Sequence, residues 1–227
     1  MQVDRLGRRQ TQMKFDFARD ALDFCNFGSL AIGYSEALPR QDDLLESSTR
    51  DRDLPNSNLR YLSANVRPYP DNPELEISEL YRVYEVPAPQ PGGKPVRVGV
   101  TAILGASLSA GIGSDLFFKI LPPADALREV LPKLQAERCD LLVLLSHARA
   151  DESEALAKQF PNFQIIASLG GPEDGQLKPK LVGTSWLIQA GQKGKHVAVV
   201  GYFPGQAEAF KYELVKLDGE RFQNAPE

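Results

Sequence analysis

Hydrophobic residues recur along the chain with two periods, and these divide it into helical and extended stretches. Over residues 11–24, Met13, Phe17, Ala21 and Phe24 return at helical spacing with Asp16, Arg19, Asp20 and Asp23 between them. That pattern predicts an amphipathic helix. Residues 29–32 form a short apolar run ending at Gly33, and residues 59–65 form another, closed by Arg67-Pro68. Both predict short strands. Between them, residues 40–58 are polar and charged, a surface connection with room for one short helix. Residues 80–86 alternate apolar and polar, residues 97–104 are apolar, and the turn-rich stretch 87–95 joins them as a hairpin with a long loop. Residues 105–115, rich in Gly and Ser, read as a loop beyond a strand end.

The second half alternates more regularly. Residues 124–137 predict a helix opened by Pro122-Pro123, 141–145 a buried strand, 152–159 a short helix and 163–167 a strand. Residues 185–190, 196–202 and 210–217 then predict three strands separated by turns alone. A change from strand–helix units to a meander points to a second sheet rather than a plain doubly wound fold. No internal repeat and no domain boundary interrupts the pattern, so residues 1–227 read as a single domain.

Composition adds limits. With 42% hydrophobic and 25% charged residues among 227, the chain is of ordinary globular make-up. A net charge of −4 provides no basic field, so nucleic-acid binding is not expected. No apolar run is long enough for a membrane span. The basic, polar stretch 1–14 is not a secretory signal, which implies a cytoplasmic protein unless this start lies inside a longer exported chain. The two cysteines, Cys25 and Cys139, form no redox or metal-ligand spacing and read as small buried hydrophobes.

The most informative segment is Asp140-Leu-Leu-Val-Leu-Leu-Ser146-His147, a buried strand ending in an imidazole. Ligand and catalytic groups gather at the carboxyl edge of open α/β sheets, and imidazole is a common metal ligand. Ser146 and His147 point to opposite faces, so they are not a nucleophile–base pair. His196 reads as a packed or surface residue. Gly105, Gly111 and Gly113 are not followed by the Lys and Ser/Thr of a phosphate-binding loop.

This segment resembles the strand that brings a histidine to the two-metal centre of calcineurin-like metallophosphoesterases of the 5′-nucleotidase branch. Four further segments match in order: Tyr61-Leu-Ser-Ala-Asn65-Val66, Val96-Arg-Val-Gly-Val-Thr101, Phe163 through Gly170-Gly171, and Gly183-Thr184 through Gly191 to Gly194-Lys195. The resemblance implies an α/β fold of two packed mixed sheets flanked by helices, without its first metal-binding strands and without the family's C-terminal nucleotidase domain. It also shows what has changed. The family's Gly-Asn-His-Glu turn reads Gly33-Tyr34-Ser35-Glu36, and its Gly-Gly-His-Thr-His loop reads Gly170-Gly171-Pro172-Glu173-Asp174.

A two-metal phosphoesterase holds its cations about 4 Å apart and activates a bridging water, which demands a rich set of N and O ligands. His147 is the one family ligand in place, with Asp174 and Glu36 as carboxylates at neighbouring motif positions. The expectation is therefore either no cofactor or a weakly bound divalent metal. The leading expectation for function is a degenerate, non-catalytic metallophosphoesterase-like domain acting as a structural or interaction module for a protein partner or fused domain. The rival expectation is a metal-dependent phosphohydrolase acting on a small phosphate ester through a divergent or externally completed site.

Overall fold

The computed structural model describes residues 5–37, 57–69, 72, 75, 77–88, 92–112, 118–219 and 221–222. The expected connection over residues 40–56 and the end of the 105–115 loop lie outside these.

The first helix, α1 (Arg5–Phe24), begins earlier than the apolar pattern requires. It also turns a different stripe inward. Met13, Phe17 and Phe24 are exposed, whereas Arg19 is buried and Phe15 and Leu22 are half-buried. Residues 15, 19 and 22 keep the helical spacing but sit two positions away from the Met13–Phe17 stripe. The inward stripe is chosen by Arg19, whose guanidinium lies 4.5 Å from the centre of the Tyr61 ring. A cation buried against an aromatic face gains from the ring quadrupole while its stem packs as hydrocarbon. The helix ends in a Schellman turn: Phe27 N–H bonds Leu22 O, Asn26 N–H bonds Asp23 O, and Asn26 takes a left-handed φ of 57°. Cys25 is exposed in this turn rather than buried as expected, and Cys139 is half-buried.

Strand β1 (Ser29–Ala31) pairs in parallel with β2 (Arg60–Leu62), which pairs in parallel with β4 (Ser78–Glu79). Residues 59–65 are not one strand. The chain turns at Ser63–Asn65 and continues as β3 (Val66–Pro68), antiparallel to β7 (Phe118–Ile120).

The main sheet has six strands in the order β10-β11-β9-β8-β6-β5. Its members are β5 (Tyr81–Val86), β6 (Val96–Leu104), β8 (Leu141–His147), β9 (Ile165–Ser168), β10 (Lys180–Val182) and β11 (Ser185–Ile188). As the alternation predicts, β5 and β6 form an antiparallel hairpin. Strands β6, β8, β9 and β11 run parallel. The crossover helices α4 (Pro123–Ala136) and α5 (Ala150–Gln159) cover one face. Ala126, Leu127, Val130 and Leu134 of α4 and Leu156 and Ala157 of α5 pack there on Ile103, Leu142, Leu144 and Ile166. Two short helices, α2 (Tyr34–Ala37) and α3 (Ala106–Ser109), follow strand ends.

The opposite face is covered by two separate layers. Leu62 and Ala31 of the small parallel sheet pack on Val100 and Ala102. The ribbon β12 (His196–Tyr202) and β13 (Phe210–Lys216) packs Ala198, Val200, Phe210 and Tyr212 on Leu141, Ile165 and Ile188. The expected three-strand meander therefore splits. Strand β11 joins the main sheet, and only β12–β13 form the second layer. The fold is α/β, with a mixed six-stranded sheet, a small parallel sheet and antiparallel strand pairs flanked by helices. Among the described residues, no helix is long and apolar enough to cross a membrane.

Candidate functional site

Leu141, Val143, Leu145 and His147 share one face of β8, and Leu142, Leu144 and Ser146 share the other, as a strand's period of two requires. Ser146 thus enters the helix-covered core, where its hydroxyl meets Ser153 Oγ of α5 at 2.9 Å. Ser153 in turn meets Ser168 Oγ of β9 at 2.8 Å. His147 ends the strand on the face beneath β1, where the turn after β1 arrives.

That turn is shaped around the imidazole. Gly33 N–H donates to Glu36 Oε2 at 3.0 Å, which closes the first turn of α2. Gly33 has no room for a side chain: a Cβ there would lie 2.4 Å from His147 Nδ1 and Cε1 and 2.8 Å from Glu36 Oε2. The structure therefore brings Gly33, Glu36 and His147 together. Burial lowers the His147 pKa, and the neighbouring Glu36 carboxylate opposes that shift.

The loop after β9 approaches the same strand end through its backbone. Gly170 N–H bonds Ala148 O at 3.1 Å, and a Cβ on Gly170 would fall 2.6 Å from both Ala148 O and Ala150 N. Gly171 lies against the Gln189 side chain, whose Nε2 donates to Gly170 O. These two glycines are needed for close approach. The acids that follow turn elsewhere. Glu173 Oε1 is 2.8 Å from Lys193 Nζ and 3.0 Å from Lys195 Nζ, and Asp174 Oδ1 is 3.1 Å from Lys195 Nζ. The two lysines hold the Glu173 carboxyl below its usual range, and the acids raise Lys195. Asp174 is largely exposed at this cluster.

Asn65 is buried at the turn between β2 and β3, and all of its amide is committed to backbone. Nδ2 donates to Leu104 O at 2.8 Å and to Leu121 O at 3.2 Å, while Oδ1 accepts from Leu104 N–H at 2.9 Å. It clamps the end of β6 to the chain after β7.

Gln189, which holds Gly170, lies within a matched segment without having been singled out, and two further residues with a part in this region were not named from the sequence. Glu152 of α5 accepts from Ala106 N–H at 2.6 Å and Ser107 Oγ at 3.1 Å, fixing α3. Lys193, with Lys195, neutralises the loop acids. Only the charge balance of Glu173-Asp174 against Lys193 and Lys195 could have suggested that last contact.

A two-metal centre needs roughly seven or eight N and O ligands around cations about 4 Å apart. Among the described residues, no three His, Cys, Asp or Glu side chains stand close enough to hold one ion. The residues present, with Glu36 beside His147 and the loop acids on lysines, do not fit such a centre.

No family model matches the sequence, and no curated protein matches it. Solved structures do match. The sulfate thiohydrolase SoxB of Thermus thermophilus superposes with a TM-score of 0.64 at 18% identity, over 89% of this chain and 35% of that one. YfkN of Bacillus subtilis, a calcineurin-like phosphoesterase, gives 0.63 at 14% identity over 88% and 66%. A 5′-nucleotidase precursor of Thermus thermophilus gives 0.60 at 21% identity over 84% and 39%. The fold is that of the calcineurin-like phosphoesterases. The chain spans between about a third and two thirds of these structures.

Proposed function

We propose that this chain is a phosphoesterase-fold domain without catalytic activity, serving as a structural or interaction module for a protein partner or fused domain. The observation that carries this reading is the fate of the loop acids. Asp174 occupies a position where the resemblance expects a ligand histidine and Glu173 precedes it, yet Glu173 is bonded to Lys193 and Lys195 and Asp174 to Lys195. A lysine ammonium beside a carboxylate competes directly with a divalent cation for the same oxygens. Gly33, Gly170 and Gly171 keep the backbone turns of the fold without the side chains that would bind metal.

The rival reading is a metal-dependent phosphohydrolase acting on a small phosphate ester, with a site completed by another polypeptide segment. It is supported by Glu36 beside His147 at the carboxyl end of β8, a carboxylate and an imidazole where such a site would begin. One experiment separates the two. The purified chain and its His147→Ala variant are incubated with Mn, Mg or Zn, dialysed, analysed for bound metal, and assayed on a phosphodiester and a nucleoside monophosphate. The expected result is no metal-dependent turnover above the variant. Turnover that requires metal and disappears in His147→Ala would overturn the non-catalytic reading.

A further inference from the structure

Among the described residues, the small parallel sheet has an open side. Arg60 N–H bonds Gly28 O and Ile32 N–H bonds Leu62 O, so residues 28, 30 and 32 direct their backbone groups at β2. In a parallel ladder the residues between them point the other way. Ser29 and Ala31 therefore present backbone N–H and C=O groups along the free edge of β1, where no described strand pairs with them.

Beside that edge lies a cleft of about 510 Å³. Its floor is Val100 of β6 with Val143 and Leu145 of β8, and Tyr84 and Arg82 of β5 line its side. Val143 and Leu145 are only half-buried although β8 is an inner strand of the main sheet. Sheets with parallel inner strands are normally covered on both faces. Here β1 covers one part, the β12–β13 ribbon another, and Val143 touches both clusters at the boundary. The Arg82 guanidinium is already engaged, donating to Gly28 O and Asn58 O and lying 3.6 Å from the Glu79 carboxylate.

We propose that the β1 edge and this cleft receive an extended strand from a partner polypeptide. The inference rests on the interaction-module reading and names the surface and the kind of partner. An open row of backbone donors and acceptors selects another backbone, and the alternate apolar positions of the floor select apolar residues at every second position of the incoming strand. Each described strand is already hydrogen-bonded in a sheet, so the occupant comes from outside them. The three solved chains described above extend well beyond the part this chain spans, the share covered being 35% to 66%, so further polypeptide accompanies the fold there.

The test uses the whole chain and a fluorescein-labelled peptide alternating valine and threonine between terminal lysines, read by fluorescence anisotropy. A second peptide carries N-methyl groups on alternate amides, which remove donors without removing side chains. Leu145→Lys puts a charge on the floor. Ala31→Pro removes an outward N–H while keeping the bonds to β2, and thermal melts identify either variant that fails to fold. Saturable binding that weakens at least tenfold in both variants and on N-methylation is expected. No saturable binding, equal binding of the methylated peptide, or a second copy of the chain filling the edge (a dimer by light scattering that Ala31→Pro dissociates) would each overturn the proposal. These outcomes are independent of the turnover assay. Metal-dependent turnover sinks the non-catalytic reading whatever the peptide does, and failed peptide binding without turnover sinks only the docking surface.

Discussion

Gly33 shows how closely His147 is built into its surroundings. An alanine there must displace the His147 ring or the Glu36 carboxylate, since its Cβ would fall 2.4 Å from the imidazole. Gly33→Ala is expected to cost about 2 kcal/mol in urea denaturation, the usual range for forcing a methyl into filled space. Adding His147→Ala should recover part of that loss, because residues sharing one contact do not behave additively. The imidazole also sets a pH dependence. Its folded pKa is lowered, chiefly by burial, from an ordinary value of 6.5. Between the lowered value and 6.5 the unfolded chain binds more protons, so stability rises with pH across that window and levels off above it. Melting temperatures measured from about pH 5 to pH 7.5 should climb in the native chain and climb less in His147→Asn.

At the scale of elements, the serine chain joins α5 to β8 and β9. Ser153→Ala removes the central hydroxyl and leaves Ser146 without its partner in the core. A loss of about 1–2 kcal/mol is expected by chemical denaturation, the cost of stranding a buried polar group. Most elements of the main sheet were legible in the sequence, because each carries its own period. The alternation of residues 80–86, the apolar run 141–145 and the proline-opened helix at 123 each state their element locally. Strands β3, β4, β7 and β10 were not legible. They are two or three residues long, and only their partners make them strands. The inward stripe of α1 was misread for a related reason: an arginine packed on Tyr61 outranked three large apolar residues, and no single-sequence pattern reports a ring on another segment. At the candidate site, the position of His147 was readable from the end of its strand. The destination of Glu173 and Asp174 was not, because the lysines that meet them lie some twenty residues further along the chain.

For the whole molecule, the separation between scaffold and chemistry follows from what each requires. The likeness to the phosphoesterases, at 14% to 21% identity, is one of fold. A strand keeps its place through an apolar period and a glycine through lack of a side chain. Both survive many substitutions elsewhere. A metal centre depends on individual donor atoms from several loops meeting at one point, so a few changes in those loops can remove it while the sheet persists. Asn65 belongs to the scaffold by this measure, since its three hydrogen bonds all end on backbone.

The order β9-β8-β6 in the main sheet also has a kinetic meaning. These three parallel neighbours and their two crossover helices come from one continuous stretch, residues 96–168. Val98 pairing with Leu141, Val143 with Ile165 and, in the small sheet, Ser29 with Arg60 close loops of the same order of length, so loop-closure entropy does not rank them. The 96–168 unit buries the larger apolar cluster beneath its crossover helices, which favours its assembly first and the small sheet late. Native-state hydrogen exchange should find the slowest amides in β6 and β8, with β1 and β2 opening at lower free energy. Equal protection across both sheets would mean that the molecule opens only as a whole.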